Sequence, residues 1–403
     1  NGGTMIIKTS DLLDTSAGNF NIVHNGTLLK YDVQPLPGYL TGPATIAANI
    51  SGTGPIQVNA GIVTFSGANT FSGAINLTGG ELIAGSIENV GVSGPLGQGG
   101  VISFNGGTLG WNLANAFDYS SRFDTTAGQQ YKLDTGGSSP TFVTGLTSSG
   151  GSLTKSGGGT LTLAGANTYS GATVVSIGAL LFQGTMSGTG TISVADSASL
   201  GVVENGSQIK PSTLTLGTST GAILEFNNVT NHTTATLAPN NLVSAGPVTI
   251  NVNSGQFLFI GETFPLLSWT SGSAPAVMLG FMAGAGGHLA TNGNEIDLVI
   301  DNPPYIWTGA ADLFWNTFSI NWTYTGVPVA WVNGRYALLD DTAGANTNVT
   351  MSGIIIPVNT TINSTSPYSI SNSAGNVLAG GGSLTKKGSG RLTLARGANT
   401  YSG

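Results

Sequence analysis

The sequence contains no cysteine and very few charged residues. Without cysteine there can be no disulfide, no thiolate metal site and no cysteine nucleophile. Asp, Glu, Lys and Arg together make up 7% of the 403 residues, whereas an average soluble protein has about 25%. The surface must therefore consist mainly of hydroxyls, amides and main chain.

Basic residues and long apolar runs are also scarce. The formal net charge is −7 and the 11 lysines and arginines are scattered, so no surface suited to nucleic acid is expected. The most apolar uncharged stretch, 263–294, is interrupted by prolines, serines and glycines, so no membrane-spanning segment is predicted. No helical periodicity persists anywhere, which favours an all-β chain.

A repeated segment is the main feature that the sequence does contain. GGSLTKSGGGTLTLAGANTYSG at 150–171 returns as GGGSLTKKGSGRLTLARGANTYSG at 380–403, and a looser copy, GIVTFSGANTFSG, covers 61–73. Apolar residues alternate with threonine in the two close copies, which predicts short strands between glycine-rich turns. Such repeats bury a core only when they stack, so we predict a β-solenoid.

Matching positions of the copies hold an asparagine and an aromatic residue, and we interpret them as structural ladders of stacked amides and rings rather than as ligands. The ladder residues are Asn69, Asn167, Asn399, Phe71, Tyr169 and Tyr401. The same alternation predicts that Thr162 and Thr393 face outward and that six leucines lie in the core: Leu153, Leu161, Leu163, Leu384, Leu392 and Leu394.

Changes in composition along the chain predict six segments. They are solenoid coils over 1–110, an irregular or inserted coil segment over 111–146, coils with the GANTYSG repeat over 147–200, wider coils or a small β excursion over 201–301, a Trp-rich segment over 302–345, and coils with the GANTYSG repeat over 346–403. In the fourth segment we favour coils, with strands predicted at 248–252, 256–260 and 296–300.

Four motifs together resemble the autotransporter-associated β-strand repeat proteins, which are large bacterial surface or secreted proteins. They are the repeat at 150–171, FDYSSRFDTTAGQQYKLDTGG at 117–137, WTGAADLFWNTFSINW at 307–322 and LLDDTAG at 338–344. The resemblance implies a right-handed parallel β-helix passenger displayed outside the cell. Members of this family share no catalytic residues, so none is carried over. A C-terminal membrane barrel, which an autotransporter has, is not found in the sequence.

The residues themselves give little support for an enzyme. Glycoside hydrolysis needs two carboxyls across one bond, and the only adjacent pair, Asp340 and Asp341, should point to opposite faces of a strand. The other carboxylates weighed are Asp118, Asp124, Asp134, Asp297, Asp301 and Asp312. His24, His232 and His288 stand apart from any zinc or Ser-triad pattern. We therefore predict no catalytic residue, no metal and no cofactor; a polysaccharide-degrading β-helix enzyme is the least favoured alternative.

Tryptophans are the candidates for recognition. Trp307, Trp315, Trp322 and Trp331 could stack on sugar rings of surface glycans if they were exposed. Packing in the core, or over an open end of the solenoid, would use the same side chains, and we prefer that interpretation.

The sequence thus predicts an extracellular bacterial structural protein, a fibre or stalk segment, with a carbohydrate-binding adhesin as the alternative. Residues 1–8 resemble those that follow the repeat at 170–175, so the chain starts in the phase in which Gly403 ends. This match predicts a longer tandem array, joined either to a continuing chain or to further copies end to end.

Overall fold

The computed structural model describes residues 4–8, 21–23, 28–32, 44–257, 259–282, 284–372, 375, 377–395 and 400–401. Their contacts divide the chain into two compact units. The first unit comprises 1–225, 236–249 and 268–276, and the second comprises 226–235, 250–267 and 277–403.

Short strands follow one another along the part of the chain that the structure describes. Up to residue 134 they are β1 (Thr4–Lys8), β2 (Asn21–Val23), β3 (Leu28–Asp32), β4 (Ala44–Ile46), β5 (Asn49–Ser51), β6 (Ile56–Ala60), β7 (Ile62–Phe65), β8 (Ile75–Leu77), β9 (Glu81–Ala84), β10 (Ile102–Phe104), β11 (Thr108–Trp111) and β12 (Gln130–Asp134). From 141 to 272 they are β13 (Thr141–Phe142), β14 (Ser152–Ser156), β15 (Thr160–Leu163), β16 (Thr173–Val175), β17 (Ala179–Phe182), β18 (Ile192–Val194), β19 (Ser199–Val203), β20 (Thr213–Leu216), β21 (Ile223–Asn227), β22 (Asn241–Ser244), β23 (Val248–Val252), β24 (Thr263–Ser268) and β25 (Ser271–Gly272).

The remaining strands belong to the second unit. They are β26 (Val277–Met282), β27 (Gly286–Asn292), β28 (Glu295–Asn302), β29 (Tyr305–Trp307), β30 (Phe314–Trp315), β31 (Trp322–Tyr324), β32 (Val327–Val329), β33 (Tyr336–Asp340), β34 (Asn348–Met351), β35 (Ile354–Ile355), β36 (Asn359–Asn363), β37 (Tyr368–Asn372), β38 (Val377–Gly380), β39 (Ser383–Lys387), β40 (Leu392–Ala395) and β41 (Thr400–Tyr401). The helices of the described residues are two single 3-10 turns, Ser120–Arg122 and Asp341–Ala343.

Parallel pairing between strands about one coil apart defines the first unit as a β-solenoid. Its longest sheet has the order β25-β22-β20-β18-β16-β14-β12-β11-β9-β7-β4, while β13, β15, β17 and β19 pair in parallel in another sheet. The turn of chain from β14 through β15 therefore gives one strand to each sheet before it returns one layer further on. The prediction of an all-β solenoid is confirmed.

The number of residues per coil varies, although the strands of successive coils remain paired in parallel. Leu153 lies beside Thr173 and Thr173 beside Ile192, so successive coils take 20 and 19 residues. Leu214 lies beside Leu242, so a later coil takes 28 residues. The coil between Leu214 and Leu242 is thus wider, and its extra residues lie in the corners between strands.

The second unit repeats the parallel arrangement and adds antiparallel pieces. Its sheets have the orders β32-β31-β29-β33-β36-β39, β30-β34-β37-β40 and β35-β38-β41. The pairs β29–β31 and β31–β32 are antiparallel, as is the hairpin β27–β28. This hairpin lies at 286–302, at the end of the segment for which wider coils or a small β excursion are predicted. The strand predicted at 256–260 was wrong, since its described residues form turns and loop.

Glycine allows neighbouring coils to approach closely. A Cβ atom added at Gly145 would lie 1.8 Å from the carbonyl oxygen of Ala166 in the next coil, and one added at Gly159 would lie 1.6 Å from that of Ser138. No side chain fits these distances. Gly157 and Gly178 have φ values of +79° and +71°, which glycine adopts without strain.

Burial in the core follows the predicted alternation in the first close copy only. Leu153, Leu161 and Leu163 are fully buried, while Thr162 is partly exposed. In the second close copy Leu384 and Leu392 are partly buried and Leu394 is 44% exposed, so the core prediction was wrong for Leu394. The physical reason is that β40 lies at the edge of its sheet among the described residues, so no further strand covers it.

The two copies therefore predict different responses to the same substitution. Leu163→Asp would bury an unpaired charge and should lower the free energy of unfolding by about 3–5 kcal/mol. Thr162→Asp and Leu394→Asp place the charge on partly exposed positions and should have much smaller effects. Urea unfolding followed by circular dichroism measures all three; equal losses for Leu163→Asp and Thr162→Asp would contradict the assigned faces.

Candidate functional site

The repeat asparagines link successive coils through the main chain. The Oδ1 atom of Asn69 accepts a hydrogen bond from the Ile50 N–H at 2.7 Å, and its Nδ2 donates to the Pro95 carbonyl at 2.7 Å. Because Asn69 is fully buried, both bonds satisfy peptide groups that water cannot reach. One side chain therefore connects the coils on both sides of its own.

Asn167 occupies the matching position and bonds in the same way. Its Oδ1 accepts from the Leu146 N–H at 3.0 Å, and its Nδ2 donates to the carbonyls of Gly165 and Thr185 at 2.8 and 3.3 Å. The observed partners of Asn69 and Asn167 are peptide groups, not other asparagine side chains. Asn399 lies outside the described residues, so the ladder of three amides stays a prediction.

The matching aromatic residues lie in the core. Phe71 and Tyr169 are fully buried, and the Tyr169 hydroxyl lies 2.7 Å from Oγ1 of Thr173. Burial raises the pKa of Tyr169 well above its ordinary value, so the hydroxyl stays neutral. For Tyr401 the structure describes only its place in β41, and its side chain is outside the described part.

A buried lysine closes the turn after β14. Lys155 is fully buried, and its Nζ donates to the carbonyls of Ser156, Gly157 and Ile177 at 2.8–3.0 Å. Burial lowers the pKa of Lys155 to about 8. The matching Lys386 donates to Lys387 and Gly388. The sequence contained the signal for this, since the alternation around Leu153 places Lys155 on the inward face.

Carboxylates join one coil to the next at the corners. Asp196 follows β18, and its Oδ1 accepts from the N–H groups of Thr218, Ser219 and Gly221 at 2.8–3.1 Å, in the loop that follows the paired strand β20. The hydroxyls of Thr218 and Ser219 donate to its other oxygen. These bonds hold the pKa of Asp196 well below its ordinary value.

Asp341 has the same arrangement in the second unit. It follows β33 and accepts hydrogen bonds from Ser364, Thr365 and Ser366, which follow the paired strand β36. The Ser364 hydroxyl is the main cause that lowers the pKa of Asp341 to about 2. We call Asp196 and Asp341 the corner carboxylates.

The other carboxylates weighed as catalytic are also engaged. Two of them accept from main-chain N–H groups: Asp118 from Val143 and Asp340 from Thr342. Three accept from serine hydroxyls: Asp124 from Ser103, Asp134 from Ser156 and Asp312 from Ser319. Asp297 accepts from the side-chain amide of Asn292. Most of these donors lie in the same or the adjacent coil or turn, which is a structural use of the carboxylate.

Glu81, at the start of β9, was missed in the sequence. Burial, and then the nearby negative charge of Asp134, raises the pKa of Glu81 to about 7. Sequence spacing gave no signal because Glu81 and Asp134 belong to different coils. A raised pKa at a buried site is a feature of functional carboxyls as well as of structural ones, so it assigns no role by itself.

The two histidines that the structure describes lie at separate places and do not form a cluster. The Nδ1 atom of His288 lies 2.9 Å from Oδ2 of Asp301 across the hairpin β27–β28. The ring of His232 packs against that of Phe264, with the ring centroids 4.3 Å apart. His24 lies outside the described residues. Within the described ranges no three His, Asp or Glu side chains are placed to hold a metal ion.

The four tryptophans form one buried cluster. Trp322 contacts Trp307, Trp315 and Trp331 with ring centroids 4.8–5.1 Å apart, and no ring is more than 1% exposed. The indole N–H of Trp307 donates to the Asn346 carbonyl at 2.8 Å. The burial favours core packing and leaves no ring face open to a sugar.

These contacts define a repeat β-solenoid whose coils are linked by buried amides and corner carboxylates. Three segments of it, 53–84, 153–181 and 384–403, match the family model of the Passenger-associated-transport-repeat. The chain therefore contains passenger-type repeats, and the resemblance to the autotransporter-associated repeat proteins is confirmed. Comparisons with curated proteins and with solved structures gave no significant match. None of the helices in the described part of the chain has the length and apolarity needed to cross a membrane.

The linking role of Asn167 can be tested by truncation. Asn167→Ala leaves the buried Leu146 N–H without its acceptor, so the free energy of unfolding should fall by about 1–3 kcal/mol. Asn76→Ala, at an outward position of β8, is the matched control and should change it little. Chemical denaturation of both variants measures the difference, and similar losses would contradict the linking role.

The corner carboxylate Asp341 predicts an acid-dependent loss of stability. Its pKa in the folded protein, about 2, lies below the ordinary value of about 4. The contribution of Asp341 to the stability of the fold is therefore present above about pH 4 and is lost as the pH falls toward 2. Asp341→Asn should lower the melting temperature at pH 7, and the difference from the wild type should shrink on acidification. Melting curves across this pH range measure it.

Glu81 should behave in the opposite sense. Its pKa in the folded protein is raised to about 7. The contribution of Glu81 to the stability of the fold is therefore present below about pH 4 and is lost as the pH rises through 7. Glu81→Gln should raise the melting temperature at pH 8 and leave it nearly unchanged at pH 4. The same sign of pH dependence for both variants would contradict these assignments.

Proposed function

We propose that this chain is an extracellular bacterial structural protein, a segment of a surface fibre or stalk. The observation that carries the proposal is the use of its polar side chains. Asn69, Asn167, Lys155 and the corner carboxylates bond the main chain of their own and neighbouring coils. A repeat whose polar groups serve mainly to join coils is suited to a mechanical role rather than to chemistry.

Passenger-type repeats support the location. Such repeats occur in proteins exported to the bacterial surface or secreted, and a surface of hydroxyls and amides with no cysteine suits that setting. Protease treatment of intact cells should remove the protein without lysis. Protection from protease until the cells are lysed would contradict the proposed location.

We further propose end-to-end continuation, which the strand edges support. β39, β40 and β41 are the outermost strands of their sheets among the described residues, and the outer side of an edge strand offers unpaired N–H and C=O groups. A further coil, from a continuing chain or from another copy, would pair with them in the same parallel register. The proposal therefore includes a longer array or filament of the same repeat.

The proposed array predicts a particular behaviour of the native material. A single giant polypeptide should give partial-proteolysis fragments that differ by about one repeat unit, because the corners are cut more readily than the paired strands. A filament of short chains should instead yield one small species on denaturation. Electrophoresis after each treatment separates the two, and a dispersed 40.5 kDa monomer from the native source at high concentration would refute both.

A further inference from the structure

A polar groove lies in the second unit, and the four tryptophans are not part of its lining. It encloses about 740 Å³ and is lined by the outward faces of β29, β33, β36 and β39 and by the segments 227–228 and 253–257. This volume falls within the range of about 300–1,000 Å³ that is typical of ligand sites in proteins.

The floor of the groove carries two columns of side chains that cross the strands. Asp340 lies beside Asn363 and Asn363 beside Lys387, which forms a polar column. Ile306 lies beside Leu338 and Leu338 beside Thr361, which forms a less polar one. Successive members of a column are ~4.8 Å apart, the spacing of neighbouring strands.

Several polar groups of the groove have no internal use. Within the described part of the chain, the side chains of Thr361, Asn363 and Gln256 make no hydrogen bond, although Thr361 is only 4% exposed. The Thr361 hydroxyl lines the groove and is not one of the fully buried polar atoms that lack a partner, so water or a ligand in the groove can satisfy it. The groove therefore presents preformed donors and acceptors.

The chemistry of the groove selects among ligand classes. β33 and β36 are each paired on both sides, so their main chain cannot receive a peptide as an added strand. The charged side chains of the lining are Asp340, Asp341 and Lys387, and two carboxylates with one ammonium group do not make a strongly charged surface. Amides and hydroxyls that both donate and accept, beside the apolar Ile306 and Leu338, suit the hydroxyl groups and C–H faces of sugars.

We propose that this groove binds a neutral oligosaccharide that lies along the two columns, across the strands. This function goes beyond the fibre role and does not depend on it, and it uses residues other than the tryptophans. Asn363 and Gln256 contact sugar hydroxyls, Thr361 contributes its hydroxyl at the floor, and Ile306 and Leu338 contact the sugar ring.

The experiment uses the full chain on an array of neutral and acidic glycans, followed by calorimetric titration of the best-bound neutral oligosaccharide and of an oligogalacturonate. We expect binding of a neutral glycan that does not change when the salt concentration is raised. Thr361→Val, which keeps the side-chain shape, and Asn363→Ala should each weaken binding by about five- to tenfold.

Asn76→Ala, an outward amide in the first unit, is the matched control and should bind as the wild type does. Thermal unfolding of each variant checks that it folds. If Thr361→Val or Asn363→Ala does not fold, Gln256→Ala takes its place, because Gln256 is exposed and its truncation should not disturb the fold. Binding of no neutral glycan, binding that the groove variants leave unchanged, or a salt-sensitive preference for the acidic glycan would each overturn the proposal. None of these results bears on filament formation, which is measured separately.

Discussion

The parallel hydrogen bonds between the main chains of successive coils are the interaction on which this structure depends. Each coil leaves its N–H and C=O groups pointing toward the coils on either side, and those groups are satisfied only if the register is kept. The close approach at Gly145 and Gly159 follows from this requirement, because any side chain there would separate the strands. Where the ladder turns a corner, a side chain must take over the hydrogen bonds that the strands no longer provide.

Asparagine, lysine and aspartate fill that role in different surroundings. Asn69 and Asn167 do so without charge where the corner is buried, and Lys155 does so where three carbonyls converge. Asp196 and Asp341 act where N–H groups and hydroxyls converge at an exposed corner. The small number of charged residues is thus compatible with a stable fold, because several of them bond main-chain groups and not an opposite charge.

The sequence predicted the fold well because the deciding signals are local. The alternation at Leu161–Leu163 and the glycine-rich turns imply short strands, and repetition implies stacking. The partners of Asp196 and Asp341 could not be predicted, since they lie a coil away and coil length changes along the chain. The exposure of Leu394 was missed for a related reason, because the same residues are covered or uncovered according to whether another strand lies beside them.

The groove illustrates the same limit for function. Asp340, Asn363 and Lys387 are separated by more than twenty residues at each step, and only the strand register brings them into one column. The tryptophans, which have the stronger sequence signal, are buried together instead. Composition drew attention to the large side chains, whereas the accessible polar surface depends on register that composition does not contain.

Constant register combined with variable coil length has a consequence for how such a chain can change over evolutionary time. An insertion in a corner, such as the residues that lengthen the coil between Leu214 and Leu242, leaves every paired strand in place. A single-residue insertion inside a strand would turn all following side chains of that strand to the opposite face. Corners can therefore gain or lose whole loops while strands accept only substitutions, so diversity among related chains should concentrate at the corners and leave the sheets alike.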